Sequence, residues 1–143
     1  HADKELAYFG QETFELADND AGLDNPAYKE ALATSRQLAA GALNGMLGAH
    51  KLDVIVAQTN GPAWLSTLGK GDAFSGPSAS QLPAIAGFPH LTVPMGLSGG
   101  LPIGLSFIGS QWHDHQVLKA GYAYDQLSKQ RATPTYKSNL DSK

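Results

Sequence analysis

Apolar and polar positions change period several times along the chain, and the changes mark out its elements. From Asp3 to about Ala17, Leu6, Phe9, Thr13 and Leu16 recur at helical spacing, with Glu5, Glu12 and Glu15 largely off that stripe. That pattern predicts an amphipathic helix. The turn cluster Asn19-Asp-Ala-Gly-Leu follows. Asn25 ahead of Pro26 is a start signal, because proline's fixed φ and missing donor suit the first helical position. A helix is predicted from Pro26 to about Leu47, with Tyr28, Leu32, Ser35, Ala39, Ala42 and Met46 as its inner stripe. Gly48 is expected to close it. The small residues of Gly41-Ala-Leu-Asn-Gly45 point to close helix packing.

The middle of the chain changes to strand-like runs. Leu52–Ala57 is short and apolar on both faces, as a buried parallel strand would be, and Asn60-Gly61-Pro62 breaks it. Between Ala63 and Ser75 the pattern is weak. Trp64, Leu65 and Leu68 fit one helical turn, and Lys70-Gly-Asp is loop. Ser78 and Ser80 can offer hydroxyls to the free N–H groups of a short helix over Gln81–Ala86, with Pro83 inside its first turn. Gly87 suits the left-handed position that ends such a helix.

His90–Met95 and Ile103–Ile108 then read as strands bracketed by Gly and Pro. Gly96–Pro102 between them predicts a hairpin with a long turn. In the second strand Ile103, Leu105, Phe107 and then Gly109 share one face, and Gly104, Ser106 and Ile108 share the other. An apolar face opposite a small-residue face implies close approach of another layer. Pro94 cannot donate to a ladder, so a bulge, an edge or a strand end is expected there. Leu52–Ala57, the crossover through Gln81–Ala86 and His90–Met95 together read as a right-handed βαβ unit.

Asp114 is placed as the cap of a last helix running through Val117, Leu118, Gly121, Tyr122, Ala123 and Leu127. After Arg131 no periodicity remains, so residues 132–143 are expected to be a flexible tail. The predicted fold class is α/β, a mixed sheet of about three strands with flanking helices, built from residues 1–131.

One ordered set of segments carries a family resemblance. The run Ala84-Ile-Ala-Gly-Phe-Pro-His-Leu-Thr-Val-Pro-Met-Gly96 is followed by Gly100-Leu-Pro-Ile-Gly-Leu-Ser-Phe-Ile-Gly109. Upstream stand Leu52-Asp-Val-Ile-Val-Ala and Gly61-Pro-Ala-Trp, and downstream Gly121-Tyr-Ala-Tyr-Asp. Together, from roughly Glu5 to Arg131, they resemble the C-terminal part of the amidase signature family, which includes peptide amidases and enzymes like the A component of Glu-tRNA amidotransferase. Gln58 stands where family members usually carry a proline.

The resemblance implies that these strands form a portion of a larger α/β/α fold. It also implies a hydrolase that cleaves an amide C–N bond through a serine acyl-enzyme, without metal or organic cofactor. The family's serine nucleophile, second serine with a cis peptide, and lysine base lie in an N-terminal Gly/Ser-rich region. Nothing in this sequence matches that region, so no catalytic residue is carried over. The expected partner is therefore the N-terminal catalytic portion of the same amidase, and the isolated chain is expected to be inactive.

Composition narrows the alternatives. At 143 residues the chain can bury a real core. Charged residues make up 16%, against roughly 25% in ordinary soluble domains, beside 42% hydrophobic residues. Either part of the surface faces protein, or a Gly- and Ala-rich sequence has ordinary exposure. His1–Asp24 is acidic and Lys129–Lys143 mildly basic, but with a net charge of −3 no basic stripe exists to neutralise phosphates, so no nucleic-acid partner is expected. No apolar run reaches membrane-spanning length, and no membrane partner is expected. With no cysteine there is neither a disulfide framework nor thiolate chemistry, and the compartment is unconstrained.

Candidate chemistry is sparse. No Gly-x-Ser-x-Gly occurs: Gly104-Leu-Ser106 runs on into Phe-Ile, and Gly76-Pro-Ser78 into Ala-Ser. Ser75, Ser78 and Ser80 read as loop and cap residues. His113 and His115 stand two apart at a helix start, where side chains do not face each other, and no metal site is expected. His90, between Pro89 and a strand, reads as a satisfied structural histidine. Gly96 to Gly104 opens no helix and is not a phosphate loop. Thr59, Asn60 and Trp64 are the substrate-binding candidates, because ligands gather just past the carboxyl ends of parallel strands. Trp64 would supply an aromatic wall and Asn60 a donor and acceptor for an amide; the alternative makes Trp64 core filling and Asn60 a turn former. The rival to an amidase portion is a non-enzymatic binding or oligomerisation module. Strand edges without neighbours make self-association an expectation under either reading.

Overall fold

The computed structural model describes residues 2–6, 10–74 and 76–136, which fall into two units, His1–Thr34 and Ser35–Lys143. In the first, the single helix expected over Asp3–Ala17 is two: α1 (Ala2–Glu5) and α2 (Glu12–Asp18). Gly10 and Gln11 between them are non-helical, as a glycine's backbone freedom favours. Phe9 lies outside the described residues. No residue of α2 is buried, and Leu6 and Leu16 are exposed, so the described members of the expected stripe cover no core within this unit.

Helix α3 (Pro26–Ala49) starts as the Asn25-Pro26 signal implies, the Asn25 Oδ1 accepting from the Ala27 N–H at 3.0 Å. It runs past Gly48 and closes just beyond it. Lys51 takes the left-handed conformation (φ 51°), the Lys51 N–H donates to the Gly48 carbonyl, and the Leu52 N–H reaches back to Leu47 at 2.9 Å. The buried stripe is Ala39, Leu43 and Leu47, whereas Tyr28 and Met46 are exposed. This stripe is rotated from the expected one because Ala42 and Ser35, small enough to fit either face, do not fix the phase of the helix.

Strand β1 spans Ile55–Gln58, helix α4 Gln81–Ala86, strand β2 His90–Ser98, strand β3 Leu101–Ile108 and helix α5 Asp114–Ser128. β1 begins three residues later than expected because the Leu52 N–H is spent closing α3. The sheet order is β1-β3-β2, and both pairings are antiparallel. Three strands with flanking helices agree with the expected class, but the mixed sheet does not form. β1 and β2 point the same way with β3 inserted between them, so the βαβ unit is split and no parallel pair results. As an edge strand, β1 leaves Val56 half exposed.

The hairpin turn is short. Gly99 and Gly100 have φ of 58° and 82°, the two positive values of a tight two-residue turn that matches strand twist. Leu97 and Ser98 therefore pair with Pro102 and Leu101 instead of lying in a long loop. The register shifts between Pro94 and Gly96, so of the bulge, edge or strand end expected at Pro94 a bulge forms, on a strand that is also an edge.

The two faces of β3 bury different partners. On one, Phe107, Val93 and Val117 of α5 form a cluster with Leu91, Leu105 and Tyr124 around it. Gly121 lets α5 settle onto β2, since a Cβ there would strike Leu91. On the other, Ile108, Leu43 of α3 and Phe88 pack with Ile55 and Ala86.

Helix α4 and its left-handed Gly87 (φ 71°) fall where expected, with Pro83 buried in the first turn. The serine caps do not form: Ser80 holds the cap position without a side-chain bond, and its hydroxyl lies 3.2 Å from that of Ser78. Ser75 lies outside the described residues. At α5 the cap position belongs to His113, and Asp114 is the first helical residue, where its charge favours the helix dipole. Trp64, Leu65 and Leu68 form no helical turn; Thr67 instead bridges Gly71. Residues 132–136 have no regular structure, and 137–143 lie outside the described residues.

The burial pattern of α3 gives a direct stability test. Leu43→Ala removes a side chain only 1% exposed and is expected to cost about 2–5 kcal/mol in urea unfolding. Met46→Ala, at 41% exposure, should change stability by only about 0.5 kcal/mol. Equal losses would mean that the helix buries a different face.

Candidate functional site

Alternation along three strands brings four polar side chains to the face of the sheet that also carries Ile108. In the register, Ser106 of β3 lies between Ala57 of β1 and Thr92 of β2. One step beyond β1, the Thr59 N–H donates to the Gly104 carbonyl at 2.8 Å, so Thr59 continues the ladder past the strand end. Its hydroxyl then folds across β3. Gly104 makes this possible: a Cβ there would stand 2.6 Å from Thr92 Cγ2 and 2.9 Å from Thr59 Oγ1. Thr92 is stiff at χ1, so that space cannot easily be given up.

The result is a continuous chain of hydrogen-bonding groups. Thr92 Oγ1 is 3.2 Å from Thr59 Oγ1, Thr59 Oγ1 is 2.8 Å from Ser106 Oγ, and Ser106 Oγ is 2.6 Å from His90 Nε2. Ser106 has no exposed surface and is the buried polar residue among the described core. Burial lowers the His90 pKa below its ordinary value of 6.5. Neutral imidazole can accept at Nε2, and each hydroxyl then donates to the next in one direction. A serine hydroxyl beside an imidazole resembles a nucleophile–base pair. Ser106 nevertheless offers no surface to a substrate carbonyl, and its oxygen is shared with Thr59. In this arrangement the hydroxyl is structural.

Thr59 is the junction between this network and the following turn. Its carbonyl accepts from the Ala79 N–H at 2.9 Å, tying the end of β1 to the entry of α4. Gly76 lies against Gly61, where a Cβ would come within 3.3 Å of the Gly61 Cα. Gln58 donates from Nε2 to the Asn60 carbonyl at 2.9 Å and so braces the turn by a side chain.

The three substrate-binding candidates are placed differently. Thr59 is turned into the hydroxyl network. Asn60 is exposed on the turn. Trp64, 41% exposed, meets Phe74 edge to face with ring centroids 5.5 Å apart. It lines a shallow cleft of about 260 Å³ with Ala63, Ser66 and Asp72. Trp64 is thus neither plain core filling nor a free wall.

His90, read from the sequence as a satisfied structural histidine, is satisfied by Ser106. The hydroxyl chain itself is not predicted from the sequence. Its signals are the small face of β3, Gly104 and Ser106, and the His90–Thr92 spacing that puts both side chains on one side of β2. Among the described residues no three His, Asp or Glu side chains stand together as a metal-binding group, and no helix is long and apolar enough to cross a membrane.

Comparison with known proteins finds amidases among those the chain is similar to. No family model matches the sequence. A probable amidase of Arabidopsis thaliana is 30% identical over 129 residues, covering 90% of this chain and 22% of the relative. The crystal structure of the peptide amidase from Stenotrophomonas maltophilia superposes with a TM-score of 0.83 at 40% identity, over 96% of this chain and 28% of that one. An amidase family protein from Bacillus anthracis superposes with a TM-score of 0.70 at 26% identity, over 94% of this chain and 24% of that one. The chain thus spans less than a third of the length of these relatives.

The lowered pKa of His90 makes stability depend on pH. The unfolded chain takes up a proton at this residue before the folded one does, so the contribution is fully present above pH 6.5 and is lost as pH falls through the folded-state value. Thermal unfolding midpoints are expected to decline below about pH 6.5, and His90→Gln should flatten that decline. An unchanged slope in the variant would assign the acid sensitivity elsewhere.

Proposed function

The chain belongs to the amidase signature family, and from that premise we propose that it serves as the C-terminal portion of an enzyme hydrolysing amide C–N bonds. The observation that carries this reading is the 40% identity with a peptide amidase over 96% of the chain, at a TM-score of 0.83. Peptide amides are therefore the first substrates to try. The acyl-enzyme chemistry belongs to a segment bearing the family's two serines and lysine. This chain contributes the three strands, the flanking helices and, on the substrate side, the turn at the end of β1 that bears Asn60, with the shallow cleft lined by Trp64 beyond it.

The shape of the sheet supports a partner of that kind. β1 and β2 each have one edge that no described strand pairs, and such edges template the addition of strands. Val56 on β1, Leu97 on β2 and Leu118 on α5 are about half exposed, and Trp112 just ahead of α5 is largely so. Re-burying about 400 Å² of apolar surface at roughly 25 cal/mol per Å² is worth on the order of 10 kcal/mol before ordering and association costs. Without the catalytic segment, the same edges favour self-association. The low charge fraction and net charge of −3 fit neither a nucleic-acid nor a membrane-surface role.

The test is reconstitution. The chain alone is expected to leave a peptide amide unhydrolysed above background and to sediment as a dimer or larger species. Co-expressed with the catalytic segment of a peptide amidase, it should form a complex that releases ammonia. Turnover by the chain alone that is abolished by Ser78→Ala, Ser80→Ala or Ser106→Ala would place a nucleophile here and overturn the division of roles. Self-association with no complex and no activity would favour the non-enzymatic module.

A further inference from the structure

The hydroxyl network passes through Thr59, the residue from which the turn after β1 departs, and that juxtaposition gives His90 and Ser106 a reach beyond their own strands. Neither lies on the turn itself. Ser106 is wholly buried, and the two sit on the paired strands of the hairpin, β3 and β2. His90 nevertheless holds the Ser106 hydroxyl at 2.6 Å, and Ser106 in turn holds Thr59 Oγ1 at 2.8 Å, where Thr92 also meets it at 3.2 Å. Gly104 leaves the space in which that hydroxyl lies.

Thr59 is also fixed through its backbone on both sides, by Gly104 at 2.8 Å and by Ala79 at 2.9 Å. A residue held by its N–H, its carbonyl and its hydroxyl loses nearly all its freedom. The next residue, Asn60, inherits that fixed starting point, and the Gln58 side chain holds its carbonyl. Valine would fill the space of Thr59 equally well, and alanine would suit a strand at Ser106. Hydroxyls at both positions, joined to a histidine, add direction to the packing, which apolar side chains do not.

We propose that Ser106 and His90 are positioning residues: through Thr59 they fix the turn at the carboxyl end of β1 and so aim Asn60 at the substrate. This rests on the reading of that turn as substrate-side, given under the proposed function. Ser106 carries the link, and His90 orients the Ser106 hydroxyl by occupying its other hydrogen-bonding direction. Neither touches the reacting atoms.

The proposal is tested by amide hydrogen exchange on the full chain, followed residue by residue by NMR. Ser106→Ala is expected to speed exchange at the Thr59 and Ala79 N–H groups by roughly tenfold, the worth of one lost hydrogen bond, while the Leu105 and Val93 amides in the paired strands stay within about twofold. Thr59→Val should do the same, and Thr59→Ser, which keeps the hydroxyl, should restore protection. Should Ser106→Ala fold poorly, the two Thr59 variants carry the test, because they alter the strand end and leave the buried position intact. Exchange that rises equally at all these amides, or that Thr59→Ser does not restore, would reduce the network to general packing and overturn the proposal. In the reconstituted enzyme, Ser106→Ala should raise KM for a peptide amide more than it lowers kcat. If exchange behaves as expected but neither Ser106→Ala nor Asn60→Ala alters KM, positioning stands for the turn while its substrate-side assignment, and with it the aim at substrate, falls.

Discussion

A serine hydroxyl buried in the middle of a central strand must find partners inside the protein, and the sheet is arranged around that requirement. Leaving such a group unpaired costs about 1–3 kcal/mol by mutational measure, a sizeable share of a small domain's stability. Ser106 lies on β3, between two strands, so its partners come from its neighbours. His90 on β2 and Thr59 at the end of β1 supply them, at 2.6 and 2.8 Å. The next residue, Phe107, points the other way into the apolar cluster beneath α5. A slip of one residue would turn Phe107 onto the polar side and Ser106 into the apolar one. One buried hydroxyl and one buried ring therefore help to pin the register of all three strands.

The same arrangement divides an apolar face from a partly polar one. The face under α5 is apolar throughout its centre, with Val93, Phe107 and Val117 at its core. The opposite face is apolar near Ile108, Leu43 and Phe88 and polar toward Gly104 and Thr59. Polar groups thus collect toward the end of the sheet where β1 finishes and the irregular segment bearing Trp64 begins. Chain segments free of ladder bonds can present side chains outward there, and the fixed Thr59 gives them a rigid root.

Much of this was legible in the sequence because glycine and proline carry local rules. Gly87 ends α4, Pro94 stands at a bulge on an edge strand, and Asn25-Pro26 opens α3. What escaped depended on relations between distant residues. The antiparallel pairing of β1 with β3 cannot be read from Leu52–Ala57, since an apolar run fits a parallel or an antiparallel neighbour equally well. The hairpin turn is shorter than the three glycines and the proline of Gly96–Pro102 imply, because a proline near a strand end needs no donor where its nitrogen faces away from the ladder. The hydroxyl network was half visible. Gly104 and Ser106 announced a small face on β3, but nothing local says that a threonine 47 positions away from Ser106 would lie across it.

The interdependence of Thr59 and Ser106 is the claim from which the rest follows, and a double-mutant cycle measures it. Unfolding free energies of the wild-type chain, Thr59→Val, Ser106→Ala and the double variant give the coupling directly. If the two hydroxyls satisfy each other, the double variant should be less destabilised than the sum of the singles by about 1 kcal/mol. Strict additivity, with the second substitution costing as much in the variant background as in the wild type, would contradict the account.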